Sequence, residues 1–447
     1  MASAAEQLAS SLSLETFSKA TELKKRILFT LGALIVFRLG TYIPVPGIDA
    51  TVMAHLMSQN GGGILGMFNM FTGGALGRMT VFALNIMPYI SASIIIQLMT
   101  AAIPALEQLK KEGDTGRQKM NQYTRYLTVL IATVQAYGIS IGLEGMRSNI
   151  GPAVIHPGAF FIFTSVVTLV GGTVFLMWVG EQITSRGIGN GSSLIIFAGI
   201  VAAMPLAIAN MLQLGETGAI STLFIIGFFI MALVVIAFVV FMERAQRRIL
   251  VQYPKRQVGQ RMFGGDSTHL PLKINTSGVI PPIFASSLLL IPATIVGFSK
   301  GTGPAWLQFI AHELSHGQPG YILLYAALII FFSLFYTAVV FNPQETADNL
   351  KKYGGFVPGI RPGANTATYF DTILTRLTAI GALYLCIVCL IPEVLIGQYN
   401  LPFYFGGTSL LIIVSVTMDT VAQIQSHLLA HQYEGLIRKG RGKGRGK

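Results

Sequence analysis

Ten stretches of mostly apolar residues recur along this chain, at roughly 23–43, 79–103, 122–143, 158–180, 192–212, 219–242, 276–297, 320–341, 373–392 and 404–427. A helix needs about 20 such residues to cross the hydrocarbon of a bilayer. Inside lipid the backbone of each run must satisfy its own hydrogen bonds, so each run is expected to be a helix. The expected fold is therefore an all-α polytopic membrane protein with ten transmembrane helices. Only 11% of the 447 residues are charged, against about 25% in a soluble protein, and this agrees.

The spans fall into two sets of five, residues 23–212 and 219–427. Because five is odd, the second set enters the membrane from the opposite side, as in inverted repeats built around a central site. No residue-level repeat accompanies this parity.

Basic residues orient the chain. Of the 31 lysines and arginines, all but Arg38, Arg78, Arg147 and Lys300 fall on the side that holds both termini. The positive-inside rule then puts both termini in the cytoplasm. The net charge of +12 is thus a one-sided field, suited to anionic lipids or to a large acidic partner such as ribosomal RNA. The arm at 1–22 is polar with no apolar core, so no cleavable signal peptide is expected. The tail at 428–447 is basic. Cys386 and Cys389 have C-x-x-C spacing inside the ninth span, but with no further ligand beside them they read as small packing residues.

The most informative stretch is Asn60 to Thr100. Its first part, NGGGILGMFNMFTGGALGR, is loosened by glycine and too short to span. The second part reads as a full span, on which Ile86, Ile90, Ser93 and Gln97 share one narrow sector. That stripe passes from aliphatic to polar. It fits a path that is dry in the middle and wet toward one side, with the glycine-rich segment folded into the other mouth. A span kinked by Pro88 inside an ordinary bundle is the alternative. Asn275, Thr276, Ser277 and Ile283 on the seventh span, and Ile412, Asp419 and Gln423 on the tenth, show the same gradient. Glu181, Arg186 and the glycines of MWVGEQITSRGIGNG form a tight joint into the span that carries Ser192 and Ile196.

Three basic-side loops differ in kind. LKKEGDTGRQKMNQYTR, after span two, reads as a solvated turn. The loop at about 243–273 is longer than a connector needs. Its RRILVQYP portion is rich in β-branched and aromatic residues and could form a ribbon that projects Lys255 and Arg256 toward a protein or ribosome. In the loop at about 343–372, Pro358, Gly359, Pro362 and Gly363 bracket Arg361 in a double turn.

The sequence contains no nucleotide-binding loop, no zinc-protease or hydrolase motif, and no clustered ligands for a metal. No enzyme, cofactor or catalytic residue is expected. A secondary transporter would need a midplane carboxylate or ion site, and Arg38 and Asp419 sit nearer span ends. A scaffold without a pore would not explain three matching gradients.

These residues carry a resemblance. FNMFTGGALGRMTVFALNIMPYISASIIIQL, MWVGEQITSRGIGNG, DSTHLPLK with GVIPPIFASS, FNPQETADNLKKYGGFVPGIRPG and LPFYFGGTSLL are similar to segments of the SecY family, pore subunits of the bacterial protein-conducting channel, in the same order. The resemblance implies a clamshell of two inverted five-helix halves around a central pore. It implies a pore ring of Ile86, Ile90, Ser192, Ile196, Ile283 and Ile412, with Ser192 where the family more often has an aliphatic residue. It also implies a plug over about 61–74, namely Gly61, Gly62, Gly63, Ile64, Leu65, Met67, Phe68, Asn69, Met70, Phe71, Gly73 and Gly74. A lateral gate would open between spans two and three on one side and seven and eight on the other. Lys255, Arg256 and Arg361 would meet the SecA motor or the ribosome. SecE and SecG would be the small membrane partners, an unfolded secretory polypeptide the cargo, and the bacterial plasma membrane the location.

Overall fold

The computed structural model describes residues 21–59, 69, 71–148, 151–218, 221–253, 256–258, 261–263, 267–298, 318–399 and 407–443. In chain order the helices are α1 (Thr21–Gly40), α2 (Ala50–Gln59), α3 (Met87–Ala102), α4 (Pro104–Lys111), α5 (Asp114–Glu144), α6 (Ala159–Arg186), α7 (Gly191–Glu216), α8 (Thr222–Arg244), α9 (Ile280–Phe298), α10 (Pro319–Val340), α11 (Pro343–Lys352), α12 (Ala364–Tyr399) and α13 (Gly407–Lys443). Short ribbons pair β1 (Arg147–Ser148) with β2 (Gly151–Pro152), β3 (Gln246–Gln252) with β6 (Ser267–Lys273), and β4 (Arg256–Val258) with β5 (Arg261–Phe263), all antiparallel. Among the described residues, 7 helices are long and apolar enough to cross a membrane, or 8 if the bent pair α3 and α4 counts as one span. The chain is therefore a mainly helical, multi-pass membrane protein.

Lipid tails are as apolar as leucine, so helices in a membrane associate through close packing rather than through escape from water. Small residues supply that closeness here. A side chain at Gly191 would strike the Gly180 carbonyl of α6, and one at Gly407 would strike the Val388 carbonyl of α12. One apolar core results, and it draws Phe37, Ile86, Ile196, Ile283, Tyr325 and Ile412 from both halves of the chain.

Two expectations are corrected. The second span does not begin at Met79: residues 72–86 are turns, and the helix starts at Met87. Backbone pairing explains this, because Val45 N donates to Met79 O at 2.9 Å and Val81 N donates to Ile43 O at 2.9 Å. The proline-fixed segment after α1 thus pairs Pro44 with Thr80 in an isolated antiparallel bridge. Asn85, with φ of +51°, turns the chain, and Pro88 lies in the first turn of α3, where a missing N–H costs no helical bond. Pro88 therefore starts this helix and does not kink it. The following connector is also no simple turn: α4 and α5 run through it, and α4 bends away from α3 by 101°.

The RRILVQYP segment forms the expected ribbon, with β3 and β6 paired from Gln246↔Lys273 to Gln252↔Ser267. Ile249, Leu272, Val357, Phe370, Ile373, Leu374 and Leu377 form a separate small core beneath it. That core seats the ribbon on α12 and on the segment after α11.

Candidate functional site

A cavity of about 630 Å³ lies between α3, α5, α6, α7, α9 and α10. Ile86, Ile90, Ile196, Ile283 and Phe284 form its apolar wall, and Ser93, Gln97, Asn121, Arg125, Glu181 and Asn190 are among its polar lining. All four residues of the expected stripe reach it, Ile86 from the N-cap of α3 and Ile90, Ser93 and Gln97 from the helix, and Gln97 Nε2 donates to Ser93 Oγ at 3.2 Å. The cavity thus joins aliphatic side chains, which offer water no hydrogen bond, with hydroxyl, amide and charged groups that do.

Ser192 also lines the cavity, and its hydroxyl is not idle. It donates to Asn190 Oδ1 at 2.8 Å, and the Ser192 N–H donates to the same oxygen at 3.2 Å, so Asn190 caps α7. Ile412 is packed in the core with 1% exposure and is not among the residues lining the cavity.

The other two gradients do not reach the cavity with their polar ends. Asn275 Nδ2 donates to Glu243 Oε1 at 2.6 Å, and Ser277 bonds Asn275 Oδ1 and Ser333 Oγ, each at 3.1 Å. These residues tie the start of α9 to α8 and α10. Gln423 Oε1 accepts from Gly189 N at 2.8 Å, and Asp419 is exposed. Sequence reasoning missed the ion pair on the polar wall. There the Arg125 guanidinium grips Glu181 with two bonds, Nε to Oε1 at 2.9 Å and Nη2 to Oε2 at 2.7 Å. The readable signal was two opposite charges just inside the ends of adjacent spans.

α9 packs against both α3 and α5. Across the first of these seams Ser287 Oγ donates to Met87 Sδ at 3.6 Å.

Of the expected plug, Gly61, Gly62, Gly63, Ile64, Leu65, Met67, Phe68 and Met70 lie outside the described residues. Asn69, Phe71, Gly73 and Gly74 are described, and their backbone is held at several points. Asn85 Nδ2 donates to Phe71 O at 3.0 Å, Arg38 Nη1 to Gly73 O at 2.8 Å, and Arg78 Nη2 to Gly73 O at 3.2 Å. Tyr42 lies between the two arginines, its ring centroid 4.1 Å from the Arg78 guanidinium carbon and 4.8 Å from that of Arg38.

Of the expected docking residues, Lys255 lies outside the described residues. Arg256 opens β4, paired with Phe263. Arg361 is exposed between Gly359 at φ +83° and Gly363 at φ +108°.

Fold and cavity together define a multi-pass helical membrane protein with an internal cavity of mixed apolar and polar lining. The SecY family model matches residues 80–421, and the chain belongs to that family. The protein translocase subunit SecY of Escherichia coli strain K12 is 58% identical over 427 residues, covering 95% of this chain and 96% of that one. The SecY subunit of Rickettsia conorii is 57% identical over 427 residues, with 95% and 98% covered. A structure of a protein-conducting channel matches with a TM-score of 0.66 at 18% identity, over 91% of this chain and 92% of that chain. Sec61 from a canine ribosome-channel complex of the endoplasmic reticulum matches with a TM-score of 0.63 at 18% identity, over the same shares.

Proposed function

We propose that this chain is the pore of a protein translocase, passing unfolded polypeptides across a bacterial plasma membrane and releasing apolar segments sideways into the bilayer. The observation that carries this reading is the cavity in which Ile86, Ile90, Ile196 and Ile283 face Arg125, Glu181 and other polar residues. Aliphatic side chains cannot solvate ions, so a ring of them is a barrier when closed. They also deform around a passing chain without choosing among sequences. With Ser192 and Ile412 they form the proposed ring, and residues 61–74 form the plug.

Adding α1, α3 and α9 to the seven long apolar helices gives ten spans in two inverted halves, a clamshell with both termini in the cytoplasm. The seam where α9 meets α3 and α5 is the lateral gate. The basic loop that contains Lys255 and Arg256, and the Arg361 turn, are the proposed contacts for a SecA motor, a ribosome or anionic lipids. SecE and SecG complete the complex. The chain itself is no enzyme, and force comes from the docked partner.

Planar-bilayer conductance tests the reading. The full-length channel is expected to be nearly silent, and a variant lacking 61–74 is expected to show large, weakly selective openings. Silence from a well-folded deletion variant would remove the plug. Ribosome co-sedimentation with Arg256→Glu and Arg361→Glu tests the docking face, and undiminished binding would reject it.

A further inference from the structure

We infer that Arg38 and Arg78 are positioning residues that anchor the C-terminal end of the plug. This rests on the plug reading above and adds to it the residues that hold the closed position.

Both guanidiniums converge on one acceptor, the Gly73 carbonyl, at 2.8 and 3.2 Å, and Arg78 Nε also donates to Gly74 O at 3.2 Å. Gly73 has φ of +66°, a region that glycine enters without penalty. That turn presents its carbonyl to both arginines. Among the described residues neither arginine forms an ion pair with a carboxylate. Two like charges are instead held together by a backbone oxygen, by the Tyr42 ring between them, and by the Tyr42 hydroxyl, which accepts from Arg38 Nη2 at 2.8 Å.

The anchor is tied to the pore wall on its other side. Asn85 Nδ2 holds Phe71 O at 3.0 Å, while Asn85 Oδ1 accepts from the N–H of Ile86 at 2.8 Å. Ile86 lines the cavity. Gly199 of α7 lies directly against the backbone of Phe71 and Gly73, three residues from Ile196. Three contacts thus fix residues 71–74 to α1, to the turn before α3, and to α7. A paired carboxylate would have neutralised the arginines and left them indifferent to the plug. Among the described residues they have none, and their charge-assisted bonds go to the backbone of Gly73 and Gly74, so displacing it leaves both donors without these acceptors.

The test uses the full-length protein reconstituted in planar bilayers as wild type, Arg38→Gln, Arg78→Gln, the double variant, and the 61–74 deletion. Each glutamine variant is expected to raise resting open probability about tenfold, the scale of a charge-assisted bond, with the double variant approaching the deletion. Arg78→Lys keeps the charge but loses the fork, and is expected to fall between wild type and Arg78→Gln. Amide hydrogen exchange over 69–80 reads the anchor without transport, and should accelerate in the double variant while the rest of the chain stays protected. A leaky deletion with a silent double variant and unchanged exchange would overturn the anchor and leave the plug intact. A silent deletion would overturn the plug reading itself.

Discussion

Gln252 and Phe356 exchange two backbone hydrogen bonds, Gln252 N to Phe356 O at 2.9 Å and Phe356 N to Gln252 O at 3.0 Å. They belong to different basic loops, the ribbon before α9 and the segment after α11, so this bridge and the small core beneath it make the two loops one body. Directly opposed, hydrogen-bonded antiparallel residues have Cα atoms about 5.5 Å apart, within the span of a disulfide. Gln252→Cys with Phe356→Cys is therefore expected to crosslink under mild oxidation. Leu250→Cys with Phe356→Cys is the control, since Leu250 faces His269. Equal crosslinking of both pairs would show that the loops move independently.

Gly191 allows α7 to pack on α6, because a Cβ there would collide with the Gly180 carbonyl. Backbone cannot rotate aside as a side chain can, so Gly191→Ala is expected to destabilise the protein by about 1–3 kcal/mol. Denaturation in detergent measures this. Gly171, whose added Cβ would meet nothing within 4 Å, is the control, and Gly171→Ala is expected to be neutral or slightly stabilising.

Much of this was legible in the sequence, and the rest failed for identifiable reasons. Long apolar runs give long helices because lipid permits little else, and the Ile86, Ile90, Ser93, Gln97 stripe followed from helical spacing alone. The start of α3 was misplaced because hydropathy does not register backbone pairing. Val45 and Val81 bond across to Met79 and Ile43, and only the Asn85 to Pro88 stretch hinted at a later start. Asn275 precedes α9 instead of lying on it and Gln423 lies on α13, and their side chains bond Glu243 and Gly189. Such partners are distant in sequence, and periodicity cannot name them.

The Arg125–Glu181 pair is two-pronged, but its side chains are 46% and 27% exposed. Solvent therefore screens it, and its coupling is expected to be about 1 kcal/mol or less. A double-mutant cycle with Arg125→Met and Glu181→Gln, followed by denaturation, measures the coupling. A value several times larger would mean that the polar wall of the cavity is dry.

Asp49 caps the start of α2, accepting from Thr51 Oγ1 at 2.6 Å, Thr51 N at 2.9 Å and Val52 N at 3.4 Å. The Thr51 hydroxyl, then these backbone N–H groups, hold its carboxyl below the usual aspartate range. A depressed folded pKa means that the stabilisation is fully present above the unfolded value of about 3.9 and is lost as pH falls through the lower folded value. Amide exchange, corrected for its intrinsic pH dependence, should show loss of protection in the first turn of α2 below about pH 4. In Asp49→Asn that acid-dependent loss should disappear.

Ser192 tests the proposed ring. Its hydroxyl and its N–H both donate to Asn190 Oδ1, so Ser192→Val keeps the backbone half of the cap and costs about 1 kcal/mol or less in stability. The same change places aliphatic surface on the cavity wall beside Ile196 and removes a group that can hold water there. In the background lacking 61–74, where the proposed ring would be the remaining barrier, Ser192→Val is expected to lower conductance. Ser192→Thr adds a methyl but keeps the hydroxyl, and should fall between valine and wild type. Equal conductance in all three would mean that the barrier lies elsewhere on the wall, and Ile86, Ile90 and Ile283 would then be the positions that set it.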